Sequence, residues 1–154
     1  MDLYAVLRGH NQALIDFADT PKRADEAIGH MGRLFVEFTK LAWECIPLYE
    51  HGYFDAQYQL WAPGPIARLQ EDASVGMSPE MYRRIVQPTD RFVASKFPYC
   101  FMHLHTTSLH LLDELLYIET LRCFEVNLEP FNIPVRDMVP FFRRMQSADR
   151  SLLV

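Results

Sequence analysis

From Ile66 onward, strand-like and helix-like stretches alternate, and that order leaves few folds open. Ile66 to Glu71 has strand patterning. Ser78-Pro79-Glu80 is a helix start, and Met81, Tyr82, Ile85, Val86, Phe92, Val93 and Phe97 follow on one side. Pro88 lies inside that pattern and is expected to kink or split the helix. Tyr99 to Thr106, YCFMHLHT, reads as a buried strand. A helix beginning at Thr107 or Ser108 carries Leu109, Leu112, Leu115 and Leu116. Arg122 to Leu128 is again strand-like and runs into a loop, NLEPFNIP. A short helix is expected over Asp137 to Gln146, and a further apolar run starts at Ser151. Strands joined through helices form right-handed crossovers and a parallel sheet, either doubly wound or part of a barrel. No glycine-rich phosphate loop follows any strand, which argues against a dinucleotide-binding fold.

The first fifty residues read as a helical lead-in. Residues 2 to 18 form a weak helix interrupted by Gly9. Thr20-Pro21 supplies a capping hydroxyl and a proline suited to the first helical position. Ala24, Ala27, Ile28, Met31, Leu34, Phe35, Phe38, Leu41, Ala42 and Cys45 then recur at three and four, and Pro47 ends the helix. Trp43 and the Phe38–Leu41 stripe are expected in the core. Tyr53 to Trp61 is compatible with a strand, stopped by Ala62-Pro63-Gly64-Pro65. At 154 residues the chain is one domain long, 1–154, and can bury a core.

The formal charge of -5 and the lack of any basic run exclude a nucleic-acid surface. Cys45, Cys100 and Cys123 are odd in number and far apart, which fits a reduced, cytoplasmic protein without a disulfide frame. MDLYAVLRGHNQ lacks the pattern of a signal peptide, and no apolar run reaches the roughly 20 residues of a spanning helix.

Side chains two apart on a strand share a face. Phe101, His103 and His105 therefore lie together, opposite Cys100, Met102 and Leu104. In the first strand Ala67 and Leu69 take the helix side, leaving Arg68, Gln70 and Asp72 on the other. In the third, Phe124, Val126 and Leu128 take the helix side, leaving Cys123, Glu125, Asn127 and Glu129. Polar residues thus gather at the C-terminal ends of the strands, where parallel α/β folds place their sites. Asp72, His103, His105 and Glu125 are the converging set. His103 and His105 with a nearby carboxylate can ligate zinc or another borderline metal, with Asp72 or Glu125 completing or orienting the set. The same groups can also move protons, since imidazole titrates near neutrality. Arg68, Gln70 and Asn127 are candidates to bind a small-molecule substrate. Ser78 is a helix cap first and a ligand second. His10, His30, His51 and His110 have no partners at meaningful spacing and are expected at the surface.

The run LQEDASVGMSPEMYRRIVQP, then FMHLHTTS, then LRCFEVNLEP, resembles the uroporphyrinogen decarboxylase superfamily. ADTPKRADEAIGHM is similar to that family's helix lead-in, and the resemblance covers roughly residues 10 to 154. It implies a TIM (β/α)8 barrel, here partial, because such a barrel takes about 250 residues. It also implies either a cofactor-free porphyrin decarboxylase, a lyase, or a zinc-dependent methyltransferase acting with a corrinoid protein. The methyltransferases carry His-x-Cys where this chain has His103-Leu104-His105. Asp72 and Ser78 fall on matching stretches. A half-barrel would leave two sheet edges and its lumen face uncovered, so a second copy of the chain is an expected partner. The competing expectation is a non-catalytic, self-associating interaction protein.

Overall fold

A computed structural model of the chain describes residues 1–129 and 133–154. Part of the loop expected across 127–134 falls at 130–132, outside the described residues. The fold is α/β. Among the described residues there are seven α-helices, one antiparallel hairpin and one four-stranded parallel sheet.

Gly9 adopts φ +83°, a conformation that costs glycine least, and it separates α1 (Asp2–Arg8) from α2 (His10–Asp19). The two helices are clamped by Asp16. It accepts the Tyr4 hydroxyl at 2.6 Å and the Arg8 Nε–H at 2.7 Å. α3 (Pro21–Cys45) starts on a proline as expected. Thr20 does not cap it, however. Its hydroxyl turns back to the Asp16 carbonyl, 3.3 Å away, and closes the end of α2 instead.

The stretch left open around Tyr53 to Trp61 is a hairpin, β1 (Tyr53–Asp55) and β2 (Leu60–Ala62). β3 (Ile66–Gln70) ends in a 3-10 turn, Asp72–Gly76. Pro88 splits the following helix, as its ring and missing N–H require. The pieces are α4 (Pro79–Ile85) and α5 (Gln87–Ala94), with Pro88 in the first turn of α5. Ser78 caps α4, its Oγ accepting the Met81 N–H at 3.2 Å. β4 (Tyr99–His105) leads through a 3-10 segment, Thr106–Leu111, into α6 (Leu112–Leu116). β5 (Cys123–Asn127), α7 (Val135–Ser147) and β6 (Ser151–Leu153) complete the chain.

The sheet order is β3-β4-β5-β6, with every neighbouring pair parallel. Its helix side carries Ala67, Leu69, Cys100, Met102, Leu104, Phe124 and Val126, all buried in the main core. Phe101, on the opposite face, is also buried. A second, smaller cluster there joins it to Ala62 and Ile66, with Trp43, Tyr53, Tyr58 and Leu60 packed around them. The hairpin therefore covers much of the face that a half-barrel would leave open.

α3 departs from expectation in its second half. Phe38 is 72% exposed and Leu41 60%. α3 packs chiefly on α5 and α2, and no described element covers Phe38 and Leu41. Trp43 is half-buried and donates its indole N–H to the Ile66 carbonyl at 2.7 Å, pinning α3 to the outer edge of β3. No helix among the described residues is long and apolar enough to cross a membrane.

Candidate metal centre

Register decides which side chains meet. Gln70 pairs with His103 and Arg68 with Phe101. His103 in turn pairs with Glu125, and His105 with Asn127. Asp72 stands just past the end of β3, in the first turn of its 3-10 segment. Two backbone N–H groups of that turn, those of Asp72 and Ala73, donate to the Asp2 carboxylate at 3.2 and 2.9 Å. Burial pushes the Asp2 carboxyl up from its ordinary pKa.

Asp72, His103 and His105 each offer one ligand atom, and these atoms lie within 4.8 Å of one another. Asp72 Oδ1 is 3.5 Å from His105 Nε2 and 3.8 Å from His103 Nε2. Those distances are too long for hydrogen bonds. Asp72 Oδ1 is buried and has no hydrogen-bond partner among the described residues. Its sister oxygen, Oδ2, accepts the Gln70 amide N–H at 2.5 Å. A buried carboxylate oxygen left bare beside two imidazole nitrogens is costly unless something cationic completes it.

Behind the triad each imidazole has its own carboxylate. His103 Nδ1 contacts Glu125 Oε2, and His105 Nδ1 contacts Glu129 Oε1. The Thr106 hydroxyl donates to the other oxygen of Glu129. A proton held on Nδ1 by a carboxylate leaves Nε2 as a lone pair, and both Nε2 atoms face Asp72. His103 and Glu125 are buried at 6% and 7% exposure, whereas His105 is half-buried, so the triad opens on the His105 side.

Tyr58 closes the His103 side. Its ring stacks on that imidazole with centroids 5.3 Å apart, and its hydroxyl lies 3.0 Å from His103 Nδ1. Asp55 builds the turn that holds it there, accepting the N–H groups of Gln57 and Tyr58 at 3.1 and 3.0 Å. Burial, then the nearby Glu125 charge, raises the Tyr58 phenol, so it stays protonated. Arg68 lies over the Tyr58 ring at 5.4 Å and donates to Gln57.

Of the residues singled out from sequence, Asp72, His103, His105 and Glu125 come together. Gln70 adjoins them through Asp72, and Arg68 lies two residues earlier on the same strand, against the Tyr58 ring. Asn127 is exposed beside His105 in the register. Ser78 is occupied as the α4 cap. Cys123 is half-buried on the site's face, with burial pushing its thiol up to about 11. His110 is exposed as expected, but both its ring nitrogens meet carbonyls, Nδ1 that of Thr107 and Nε2 that of Met77, each at 2.9 Å. Tyr58, Asp2 and the role of Glu129 escaped the sequence argument. Only the period of β5, which places Glu129 two residues beyond Asn127, offered a signal.

Comparison with protein-family models, with curated proteins and with solved structures finds no match to this chain.

Proposed function

We propose that the protein is a metal-dependent enzyme whose centre is Asp72, His103 and His105, with zinc or another borderline divalent ion as its cofactor. The observation that carries this is the bare, buried Asp72 Oδ1 facing two imidazoles whose far nitrogens are each held by a carboxylate. The donor set suits the ion. Zn–N and Zn–O bonds of about 2.0–2.1 Å in a tetrahedron put ligand atoms roughly 3.3 Å apart, near the 3.5 and 3.8 Å that separate Asp72 Oδ1 from the two Nε2 atoms. Mixed nitrogen and oxygen donors favour zinc over calcium or magnesium.

Such an ion would polarise a thiol, hydroxyl or water on its open side and lower that group's pKa. The chain's own residues do the rest. Glu125 and Glu129 hold the Nδ1 protons and fix the ring orientations. Gln70 holds Asp72 in place. Tyr58 keeps water from the His103 side, leaving the His105 side for a small-molecule substrate. Four parallel strands in consecutive order are the arrangement expected of half an eight-stranded barrel, and this supports our reading of a partial-barrel, uroporphyrinogen-decarboxylase-like architecture. Within that resemblance, the donor set favours metal-assisted methyl transfer, with a corrinoid protein as partner, over cofactor-free decarboxylation.

The test is metal analysis of the purified chain after equilibration with zinc and desalting. The expected result is one zinc per chain in the wild type and none in the His103→Ala/His105→Ala double variant. Absence of zinc from the wild type, or equal zinc in both, overturns the proposal.

A second reading, a non-catalytic module that associates with its own copy, is favoured by one observation. Leu34, Phe38 and Leu41 are all at least half exposed at helical spacing on α3. Sedimentation at rising concentration checks it: a monomer throughout removes it.

A further inference from the structure

Along the outer edge of β3, between α1, α3, α5 and the hairpin, lies a groove of about 820 Å³. Its walls are largely apolar, formed by Ile28, Met31, Phe35, Ala42, Trp43 and Ile66 among others. That volume is in the range of small-molecule sites, which are typically apolar with a few placed polar groups. Gln70 lines the groove, and its amide also holds Asp72 Oδ2 at 2.5 Å. The groove and the metal centre therefore share a wall.

The charges around the groove are lopsided. Four carboxylates line it, those of Asp2, Asp55, Glu71 and Asp90, against two cationic groups, the Met1 amine and Arg68. Neither cation is idle. The Met1 amine is bound to Glu71 Oε1 at 2.8 Å, and Arg68 is held by Gln57 and the Tyr58 ring. Glu71 is 2% exposed, and its Oε2 has no hydrogen-bond partner among the described residues. Burial pushes the Asp2, Glu71 and Asp90 carboxyls up, so their charge is not what excludes an anion. An anionic guest would instead lose its hydration against apolar walls, with both lining cations already engaged and none left to pair with it. A neutral apolar chain meets no such penalty and gains from leaving water.

We infer that this groove binds the body of the substrate, and that the substrate is an elongated, apolar, non-anionic molecule whose polar head reaches the metal centre past Gln70. The inference rests on the metal reading for its head group and on the groove alone for its body. It sets this chain apart from a polycarboxylate porphyrin decarboxylase, whose substrate would find no unengaged cation in the groove.

The chain is titrated with n-hexanol, hexanoate and n-hexanethiol, followed by tryptophan fluorescence and calorimetry. The expected result is saturable binding of n-hexanol at one per chain, with hexanoate at least tenfold weaker. Ala42→Trp fills the groove away from the triad, and it should weaken n-hexanol at least tenfold while keeping its zinc. Retained zinc shows that the sheet of this variant is intact. With zinc bound, n-hexanethiol should bind at least tenfold tighter than n-hexanol, and His105→Ala should erase that difference. No saturable n-hexanol binding, hexanoate as tight as n-hexanol, or an Ala42→Trp variant that keeps both zinc and n-hexanol affinity overturns the inference. Thiol and alcohol binding equally to the zinc-loaded chain also overturns it. Failure of zinc to bind at all is a separate result that strikes the metal reading, because n-hexanol and Ala42→Trp decide the groove without it.

Discussion

Nδ1 of His103 faces a carboxylate oxygen of Glu125 directly across the β4–β5 register. With the imidazole proton on Nδ1, toward this carboxylate, Nε2 is left free to bind a cation. Glu125→Gln keeps the shape and loses the charge. Zinc affinity is expected to fall by about 10- to 100-fold, the usual cost of losing such a partner. Competition with a chromophoric chelator measures it, and circular dichroism should be unchanged. Affinity equal to the wild type would remove Glu125 from the centre.

Asp72→Ala is expected to abolish tight zinc binding without destabilising the fold. The wild-type chain without metal carries a buried, bare oxygen at this position. Removing it relieves a desolvation cost and loses the Gln70 hydrogen bond, two effects that oppose, so the metal-free variant should melt close to metal-free wild type. A large drop in melting temperature would show that the carboxylate is a structural group.

Gly32 faces α5 so closely that an added Cβ would lie 2.3 Å from Thr89 Cγ2. Glycine-to-alanine inside a helix ordinarily stabilises by about 1 kcal/mol. Here the contact reverses the sign, and Gly32→Ala is expected to cost about 1–3 kcal/mol in urea denaturation. Thr89→Ser removes the offending methyl and should restore most of the loss in the double variant. Additive single effects would refute the contact.

Asp16 sits below the ordinary carboxylate range, held there first by hydrogen bonding to Arg8, then by Tyr4 and Gln12. Its pKa is lower folded than the about 3.9 of an unfolded chain. The stabilisation is therefore fully present above about pH 4 and is lost as pH falls through the folded value. Asp16→Asn should lower the melting temperature at pH 7 and flatten its dependence on pH below 4. Parallel curves for the two proteins would rule this out.

Trp43→Phe strips the indole N–H from the Ile66 carbonyl while keeping an aromatic ring in the second core cluster. The expected loss is about 1–3 kcal/mol, the cost of a hydrogen-bond partner left unsatisfied. Urea denaturation followed by circular dichroism reads it, and an unchanged midpoint would mean that α3 is held by packing alone.

Strand periodicity carried the sequence argument furthest. Because side chains alternate strictly along a strand, Arg68, Gln70, His103, His105, Cys123 and Glu125 could be assigned to one face before any coordinate was known, and the register brings the predicted pairs together. Pro88 and Gly9 likewise announced their breaks. What escaped has a common cause. Tyr58 reaches His103 from a hairpin tip shaped by Asp55, and Asp2 reaches the Asp72 turn from α1. Neither belongs to a periodic element facing the site, so no pattern along the chain could reveal them. The exposure of Phe38 and Leu41 was hidden for another reason: an apolar stripe tells which side of a helix seeks cover, not how far the cover extends.

The bond from the Asp72 N–H to the Asp2 carboxylate spans 70 positions of sequence. The loop presenting one candidate metal donor is thereby fastened by a residue from the first helix, while the two imidazoles come from β4, further along the chain. A growing polypeptide would hold these parts in separate neighbourhoods until β5 and its carboxylates had also docked. Ion capture at this site would thus be tied to completed folding, and a bound cation would certify that the distant pieces had found one another.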